Sequence, residues 1–310
     1  MSSPESSAVV PPLDRARAKA YRRLLPMLFL CYVIAYVDRN NVGLAKLKMI
    51  DDLPAFNDAV IGFGAGVCFF VGYLILEIPG TLLVEKWSAR KWICRIMVTW
   101  GVIASCTAFV KVPWHFYGIR FLLGLAEAGF FPGVIVYLTH WFPNRDRAKA
   151  LSWFMIATPI AQFISPRISY YMLRIGTDEK VGDTIIHHPM ILGMKGWQWM
   201  YIGWGIPAVL LGIMVLFLLT DRPSQAMWLD PEEREALSNQ LALEKAQRKS
   251  AGHMSLFEAL SNPKVLLLTL AYFFVVTGNY GVEIFLPSIL KDWYKLGDSR
   301  LTWILMIHRE

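Results

Sequence analysis

The chain has 310 residues, of which 55% are apolar and only 18% are charged, a balance that excludes an ordinary soluble domain of this length. Its net charge of +7 comes from basic residues between apolar blocks, so no nucleic-acid partner is needed to explain it. The sequence contains no phosphate-binding glycine loop, zinc-protease motif or serine nucleophile elbow, and its histidines and cysteines lack metal-ligand spacing. We therefore expect no enzyme, no metal site and no cofactor.

The apolar residues form seven long blocks. Each block has the roughly 20 residues that a helix needs to cross a lipid bilayer. The first block is too long for a cleavable signal peptide, and the residues before it lack the pattern of one. The sequence therefore predicts an all-α membrane protein. The predicted spans are residues 24–44, 60–84, 92–110, 114–138, 149–173, 198–219 and 264–287.

The basic residues indicate how the chain is oriented. They concentrate in the N-terminal tail and in the segments after the second, fourth and sixth spans, which all lie on one side of the membrane. The positive-inside rule assigns that side to the cytoplasm. We therefore expect an integral protein of the bacterial inner membrane with a cytoplasmic N-terminus.

A long polar stretch, residues 220–263, divides the chain. Within it, Asp230 followed by Pro231 and two glutamates is typical of a helix start, and Leu237 and Leu241 share one face of that helix. This pattern predicts an amphipathic cytoplasmic helix that tethers two halves of the protein. The predicted parts are a cytoplasmic tail (1–23), a six-helix transmembrane bundle (24–219), the interdomain loop with its helix (220–263) and the start of a second bundle (264–310).

Two of the predicted spans each carry an acidic and a basic residue that bear on function. Asp38 and Arg39 lie in the first span, where each costs about 2.5 to 3.5 kcal/mol at a helix centre. As neighbours they point about 100° apart on a helix and cannot easily pair with each other. Arg120 and Glu127 lie two turns apart on one face of the fourth span. We expect these four residues in one polar cavity. A static network that pins the two helices together is the alternative.

These residue types suit an organic anion and a proton. An arginine fork matches a carboxylate and stays charged when it is partly desolvated. A carboxylate held between desolvation and a nearby arginine can exchange a proton, so proton coupling is favoured over sodium coupling. Tyr36 and Tyr73 are further candidates for binding the substrate through their hydroxyl groups, although packing of their rings explains them equally well.

Several ordered motifs cover almost the whole chain. They are Tyr36-x-Asp38-Arg39-x-Asn41, Gly72-Tyr73 with Glu77-Ile78-Pro79-Gly80, Arg120-Phe121-x-x-Gly124-x-x-Glu127-x-Gly129, Trp141-Phe142-Pro143, Gly196-Trp197-Gln198-Trp199, Asp221-Arg222-Pro223 and Tyr280-Gly281. Together they resemble the anion:cation symporter family within the major facilitator superfamily, whose members include tartrate, hexonate and aromatic-acid permeases.

The resemblance implies two six-helix bundles around a central cavity, and secondary active transport by alternating access. It further implies that Arg39 and Arg120 hold a substrate carboxylate while Asp38 and Glu127 carry protons. Tartrate-like hydroxy acids, sugar acids and aromatic acids are all substrates that fit such a family. The sequence does not choose among these three classes.

The chain departs from the family pattern in two respects. Trp204, Arg167 and Glu283 stand where relatives usually carry other residue types. Relatives run through twelve spans, whereas this chain stops near the expected eighth span, at residues 301–305. The resemblance therefore implies a complete N-terminal six-helix bundle plus the seventh helix, with the remainder of the C-terminal bundle missing.

Two further hypotheses concern a different class of function. The first is a non-transporting truncated remnant, or a half-transporter with only a membrane-embedded interaction role. The second, a membrane-embedded enzyme, is less favoured because no nucleophile–base pair or metal-binding set occurs in the spans.

Overall fold

The computed structural model describes residues 10–181, 184–250, 258 and 261–294, which are almost entirely helical. The predicted eighth-span region at residues 301–305 and the side chain of Glu283 lie outside the described parts. One antiparallel hairpin is present, in which β1 (Asp178–Val181) pairs with β2 (Thr184–His187) in the register Asp178 to His187. The helices are α1 (Pro12–Asp52), α2 (Asp58–Gly62), α3 (Phe69–Lys86), α4 (Ala89–Cys106), α5 (Pro113–Glu127), α6 (Phe130–Trp141), α7 (Asn144–Met155), α8 (Ala157–Leu173), α9 (Gly196–Leu218), α10 (Pro231–Ser250) and α11 (Pro263–Tyr294).

Within the described residues, six helical segments are long and apolar enough to cross a membrane. They correspond to six of the seven predicted spans. They are Pro12–Asp52, Asp58–Thr81, Ala89–Phe109, Pro113–Trp141, Gly196–Leu218 and Pro263–Val282. The first of these starts well before residue 24, so the stretch that the sequence assigns to the tail is helical from Pro12 onward.

The fifth predicted span, 149–173, is formed by two helices that follow each other directly, and Ile156 between them keeps a right-handed helical backbone conformation. The structure divides it at Ile156 into α7 and α8, which are 12 and 17 residues long. Pro159 lies just after the break and has no backbone N–H to donate to the carbonyl of Met155, four residues earlier. Neither helix reaches the roughly 20 residues that a bilayer requires, so only the two in succession can span it.

The helices α3 and α5 cross with their backbones in contact. An added methyl group at Gly124 would lie 2.0 Å from the carbonyl oxygen of Phe69, and one at Gly72 would lie 2.3 Å from that of Phe121. Only glycine permits so close an approach at these two positions. Because Arg120 and Glu127 both lie on α5, this crossing sets their positions relative to α1 and α3.

A second close crossing joins α4 to α9. A methyl group added at Gly101 would lie 2.6 Å from the carbonyl oxygen of Gly205, and one at Gly205 would lie 2.2 Å from Oγ of Ser105. Trp100, directly before Gly101, is completely buried. The crossing therefore fixes the depth at which the Trp100 indole enters the interior.

The cytoplasmic helix predicted in the interdomain loop is α10, and it packs on the end of α1. Leu237 belongs to the same hydrophobic core as the bundle helices. Lys19 Nζ on α1 lies 2.8 Å from Glu233 Oε2 and 3.0 Å from Asp230 Oδ2. The hydrogen bond from the Lys19 ammonium holds the pKa of the Asp230 carboxyl below its ordinary value, so this group stays ionised at neutral pH. The helix is thus held by both apolar packing and charge.

We expect Glu233→Ala to release α10 from α1. The Glu233 side chain is only 1% exposed, so its loss leaves Lys19 and Arg15 without a buried acceptor. Amide hydrogen exchange within α10 should accelerate by about tenfold or more. The matched control is Glu232→Ala, because the neighbouring Glu232 side chain is 79% exposed and contributes little. Equal exchange rates in the two variants would contradict this docking.

Candidate functional site

The four predicted ionisable residues line one cavity between α1, α3, α5 and α11. About 460 Å³ of empty space, part of it continuous with solvent, lies among its lining residues. Asp38 and Arg39 reach it from α1, and Arg120 and Glu127 reach it from α5. Phe69 and Phe70 contribute apolar surface from α3, and Tyr280 contributes a hydroxyl group from α11.

Arg39 is held by groups from three other helices. Its guanidinium donates a hydrogen bond to the carboxylate of Glu127, and its Nη1 donates to the Tyr280 hydroxyl at 2.8 Å. Its Cζ lies 5.8 Å from the centre of the Tyr73 ring. The Glu127 side chain is 3% exposed, whereas that of Arg39 is 25% exposed. A ligand in the cavity therefore has access to the cation of this pair and little access to its anion.

Asp38 has a different environment from Arg39, as their adjacent positions on a helix require. The residue is 3% exposed, and its Oδ2 accepts a hydrogen bond from the Trp100 indole at 2.6 Å. Oδ1 has no hydrogen-bond partner in the described parts of the chain. The two oxygens of this carboxylate are thus chemically distinct.

Arg120 is as deeply buried as Asp38, since each residue is 3% exposed. Its Nη2 donates to the hydroxyl of Tyr201 on α9 at 2.9 Å. The guanidinium also lies over the rings of Phe116 and Tyr201, at 5.0 and 5.6 Å from their centres. Aromatic faces stabilise a cation without neutralising its charge. Arg120 therefore keeps its positive charge, although the residue is only 3% exposed.

The two predicted tyrosines lie in different places. The Tyr73 ring lies beside the Arg39 guanidinium, and Tyr73 is not among the residues that line the cavity. The hydroxyl of Tyr36 accepts a hydrogen bond from the amide of Gln162 on α8 at 3.0 Å, and Tyr36 is not among the residues that line the cavity. A direct contact of Tyr36 with substrate stays a prediction.

Two of the residues that depart from the family pattern, Arg167 and Trp204, lie outside the cavity lining. Arg167 lies over the ring of Tyr171, at 5.1 Å from its centre. Trp204 packs within the hydrophobic cluster that includes Trp197 and Tyr201. Neither is among the residues that line the cavity.

Two residues at the site were missed by the sequence analysis: Trp100 and Tyr201. Each supplies a polar atom to one of the predicted charges. Buried tryptophan and tyrosine side chains usually need a hydrogen-bond partner, which is the signal that points to them. The chain has 12 tryptophans and 12 tyrosines, so this signal does not select these two.

The arrangement is suited to binding an anion and contains no evident metal site. In the described residues, no group of three or more His, Cys, Asp or Glu side chains is placed to hold a metal ion. Two arginines and two carboxylates, each with partners on other helices, line the same cavity. A bound carboxylate would compete with Glu127 for Arg39, and a proton on Glu127 would weaken that competition.

Comparison with known proteins gives consistent matches. Residues 28–307 match the family model described as Major Facilitator Superfamily. A protein of Agrobacterium vitis, provisionally named a tartrate transporter, is 42% identical over 279 residues, which cover 90% of this chain and 61% of that protein. The inner membrane transport protein RhmT of Escherichia coli is 35% identical over 276 residues, covering 89% of this chain and 60% of that protein. This chain thus spans less than two thirds of the length of either relative.

Solved structures show the same fold. A bacterial homologue of the human lysosomal transporter Spinster, crystallised in an inward-facing, unoccupied conformation, superposes with a TM-score of 0.66 at 18% identity, over 94% of this chain and 58% of that chain. The xylose transporter XylE from E. coli, in a partially occluded inward-open conformation, gives a TM-score of 0.66 at 16% identity, over 93% and 70%. At these identities the likeness concerns the fold alone.

Proposed function

The chain belongs to the Major Facilitator Superfamily, and we propose that it serves in proton-coupled symport of small organic carboxylates across the bacterial inner membrane. Within the superfamily we place it among the anion:cation symporters, with its N-terminus in the cytoplasm. The observation that carries the proposal is the presence of Arg39, Arg120, Asp38 and Glu127 in one cavity.

The Arg39–Glu127 pair supports coupling between anion and proton. A substrate carboxylate that binds Arg39 would place two negative charges on one guanidinium while Glu127 remains ionised. Protonation of Glu127 removes one of these charges and frees the guanidinium for a bidentate contact with the substrate. Binding of the anion and of the proton then stabilise each other.

Two arginines in one cavity suit a substrate with more than one acceptor group. Arg39 is partly exposed to the cavity and Arg120 lies deeper, over the rings of Phe116 and Tyr201. A hydroxy acid with two carboxylates, such as tartrate, offers an oxygen-rich group to each arginine. The name given to the A. vitis relative supports this class, while sugar acids and aromatic acids remain within the proposal.

The test combines binding with uptake. The purified chain is titrated with tartrate, a sugar acid and an aromatic acid by calorimetry, and the same preparation is reconstituted in proteoliposomes with an acidic exterior. We expect Arg120→Ala to weaken binding by at least about tenfold, because it removes a buried charged contact. Asp38→Asn should abolish the dependence of uptake on the pH gradient. The matched control is Arg167→Ala, an arginine in a helix of the bundle that does not line the cavity.

Two results would contradict the proposal. If Asp38→Asn and Arg120→Ala transport labelled carboxylates as well as the parent chain, the site assignment is wrong. If uptake follows a sodium gradient and ignores pH, proton coupling is wrong even if the site is right.

A second candidate is a non-transporting membrane protein that keeps the site. In the described residues, the cavity wall opposite α1, α3 and α5 comes from α11 alone, through Tyr280. Carboxylate binding that depends on Arg120, without any uptake in proteoliposomes, would favour this candidate over symport.

A further inference from the structure

Trp100 enters the site from a helix that does not line the cavity. It lies on α4, is completely buried and is not among the cavity-lining residues. Its indole nitrogen nevertheless lies 2.6 Å from Asp38 Oδ2. It therefore acts on the proposed site through Asp38 and not through the ligand.

An indole N–H can donate a hydrogen bond but cannot accept one. In a protonated carboxyl group the carbonyl oxygen is a better acceptor than the hydroxyl oxygen, so the hydrogen bond from the indole to Oδ2 is stronger when the proton lies on Oδ1. The other oxygen, Oδ1, is buried and has no partner in the described parts of the structure. A proton that binds Asp38 therefore has one favourable position.

We propose that Trp100 is a positioning residue that holds Oδ2 of Asp38, directs the proton to Oδ1 and favours the ionised carboxylate. The proposal rests on the proposed function, in which Asp38 carries a proton. It adds a residue to the proton site that no part of the sequence pattern indicates.

The position of Trp100 is set by close packing. Gly101, the next residue, lies against the backbone of Gly205 at the crossing of α4 and α9. The Trp100 ring also packs edge-on against Phe130 at the start of α6, with 6.4 Å between ring centres. The indole therefore cannot withdraw from Asp38 without moving a helix.

Several charged and titratable groups face Asp38 from the packed helices. Arg120 and Glu127 face it from α5, Tyr201 faces it from α9, and Arg39 lies beside it on α1. A Trp100→Phe substitution leaves all four in place, but it removes ring volume together with the indole donor. A variant that keeps the shape of the ring is therefore needed to attribute a change in Asp38 protonation to the lost hydrogen bond.

The test is an infrared titration of the purified chain. The C=O stretch of the protonated Asp38 carboxyl is identified as the band missing in Asp38→Asn, and its intensity is followed between about pH 4 and pH 10. A donor to a carboxylate favours the ionised form, so its removal in Trp100→Phe should move the midpoint to higher pH by about one unit or more. The frequency of the band should change as well.

Two further variants separate the hydrogen bond from packing. Replacement of Trp100 by 3-benzothienylalanine keeps the bicyclic shape without the N–H, and should shift the midpoint in the same direction. Trp204→Phe is the matched control, because Trp204 is also buried but its indole nitrogen has no partner in the described residues. Its midpoint should equal that of the parent.

The outcomes are distinguishable from those of the uptake experiment. An unchanged midpoint in both Trp100 variants, or an equal shift in Trp204→Phe, would overturn the role of Trp100 while pH-driven uptake stands. Absence of any Asp38-dependent titration in the parent would overturn this inference together with the proton-carrying role of Asp38.

Discussion

Substitution of Glu127 by leucine is expected to destabilise the chain by about 3 kcal/mol, because it leaves the Arg39 guanidinium without its counter-charge in a site that is largely closed to water. The free energy of unfolding can be measured by denaturant titration in mixed micelles, followed by tryptophan fluorescence. Carboxylate binding should be lost in the same variant if the pair is part of the site.

A double variant supplies the control. Arg39→Met combined with Glu127→Leu removes both charges and replaces them with apolar groups of similar size. A buried ion pair contributes little net stability compared with such apolar groups. The double variant should therefore regain most of the unfolding free energy that Glu127→Leu loses. It should still fail to bind carboxylates, which separates the effect on stability from the effect on binding. A double variant less stable than Glu127→Leu would contradict the pairing.

Gly124→Ala is expected to cost about 1 to 3 kcal/mol and to weaken carboxylate binding. The new methyl group would lie 2.0 Å from the carbonyl oxygen of Phe69 and 2.8 Å from the amide nitrogen of Tyr73. Both are backbone atoms, which cannot swing aside, so α5 must move away from α3. Arg120 and Glu127 move with α5, and the geometry of the site changes with them. Unfolding and calorimetric titrations measure the two effects.

The matched control lies on the same helix. At Gly118, an added methyl group would meet nothing within 4 Å. Gly118→Ala should therefore be neutral or stabilising by about 0.5 to 1 kcal/mol, since alanine favours a helix more than glycine does. Equal losses at Gly118 and Gly124 would show that helix propensity, and not the α3–α5 contact, governs both positions.

The fold could be predicted from the sequence to the extent that it depends on length and hydropathy. Six described helices fall on predicted spans because a backbone in lipid has to satisfy its own hydrogen bonds. The fifth span consists of two successive helices, and hydropathy does not register the missing N–H of Pro159 near their junction. The close crossings at Gly72 and Gly124 could not be predicted from the sequence either, since helix contacts depend on how two helices are placed relative to each other.

The candidate site also has residues that could be predicted from the sequence and residues that could not. Asp38, Arg39, Arg120 and Glu127 stand out in the sequence because a charge in an apolar span is costly wherever the helix lies. Helical spacing puts Arg120 and Glu127 on one face of α5, whereas the placement of α1 relative to α5 brings Asp38 and Arg39 to the same cavity. Trp100 and Tyr201 did not stand out, because an aromatic residue in a membrane helix has no cost that marks it.

By itself, the sequence determined that this protein spans a membrane through helices and that Asp38, Arg39, Arg120 and Glu127 lie within the spans. Both properties follow from local hydropathy and from the 3.6-residue period of a helix. Only the tertiary structure decided which partner each charge has. It pairs Arg39 with Glu127, Asp38 with Trp100, and Arg120 with Tyr201. These bonds join residues 62 to 88 positions apart. They depend on the rotation and depth of one helix against another, which a linear pattern does not contain.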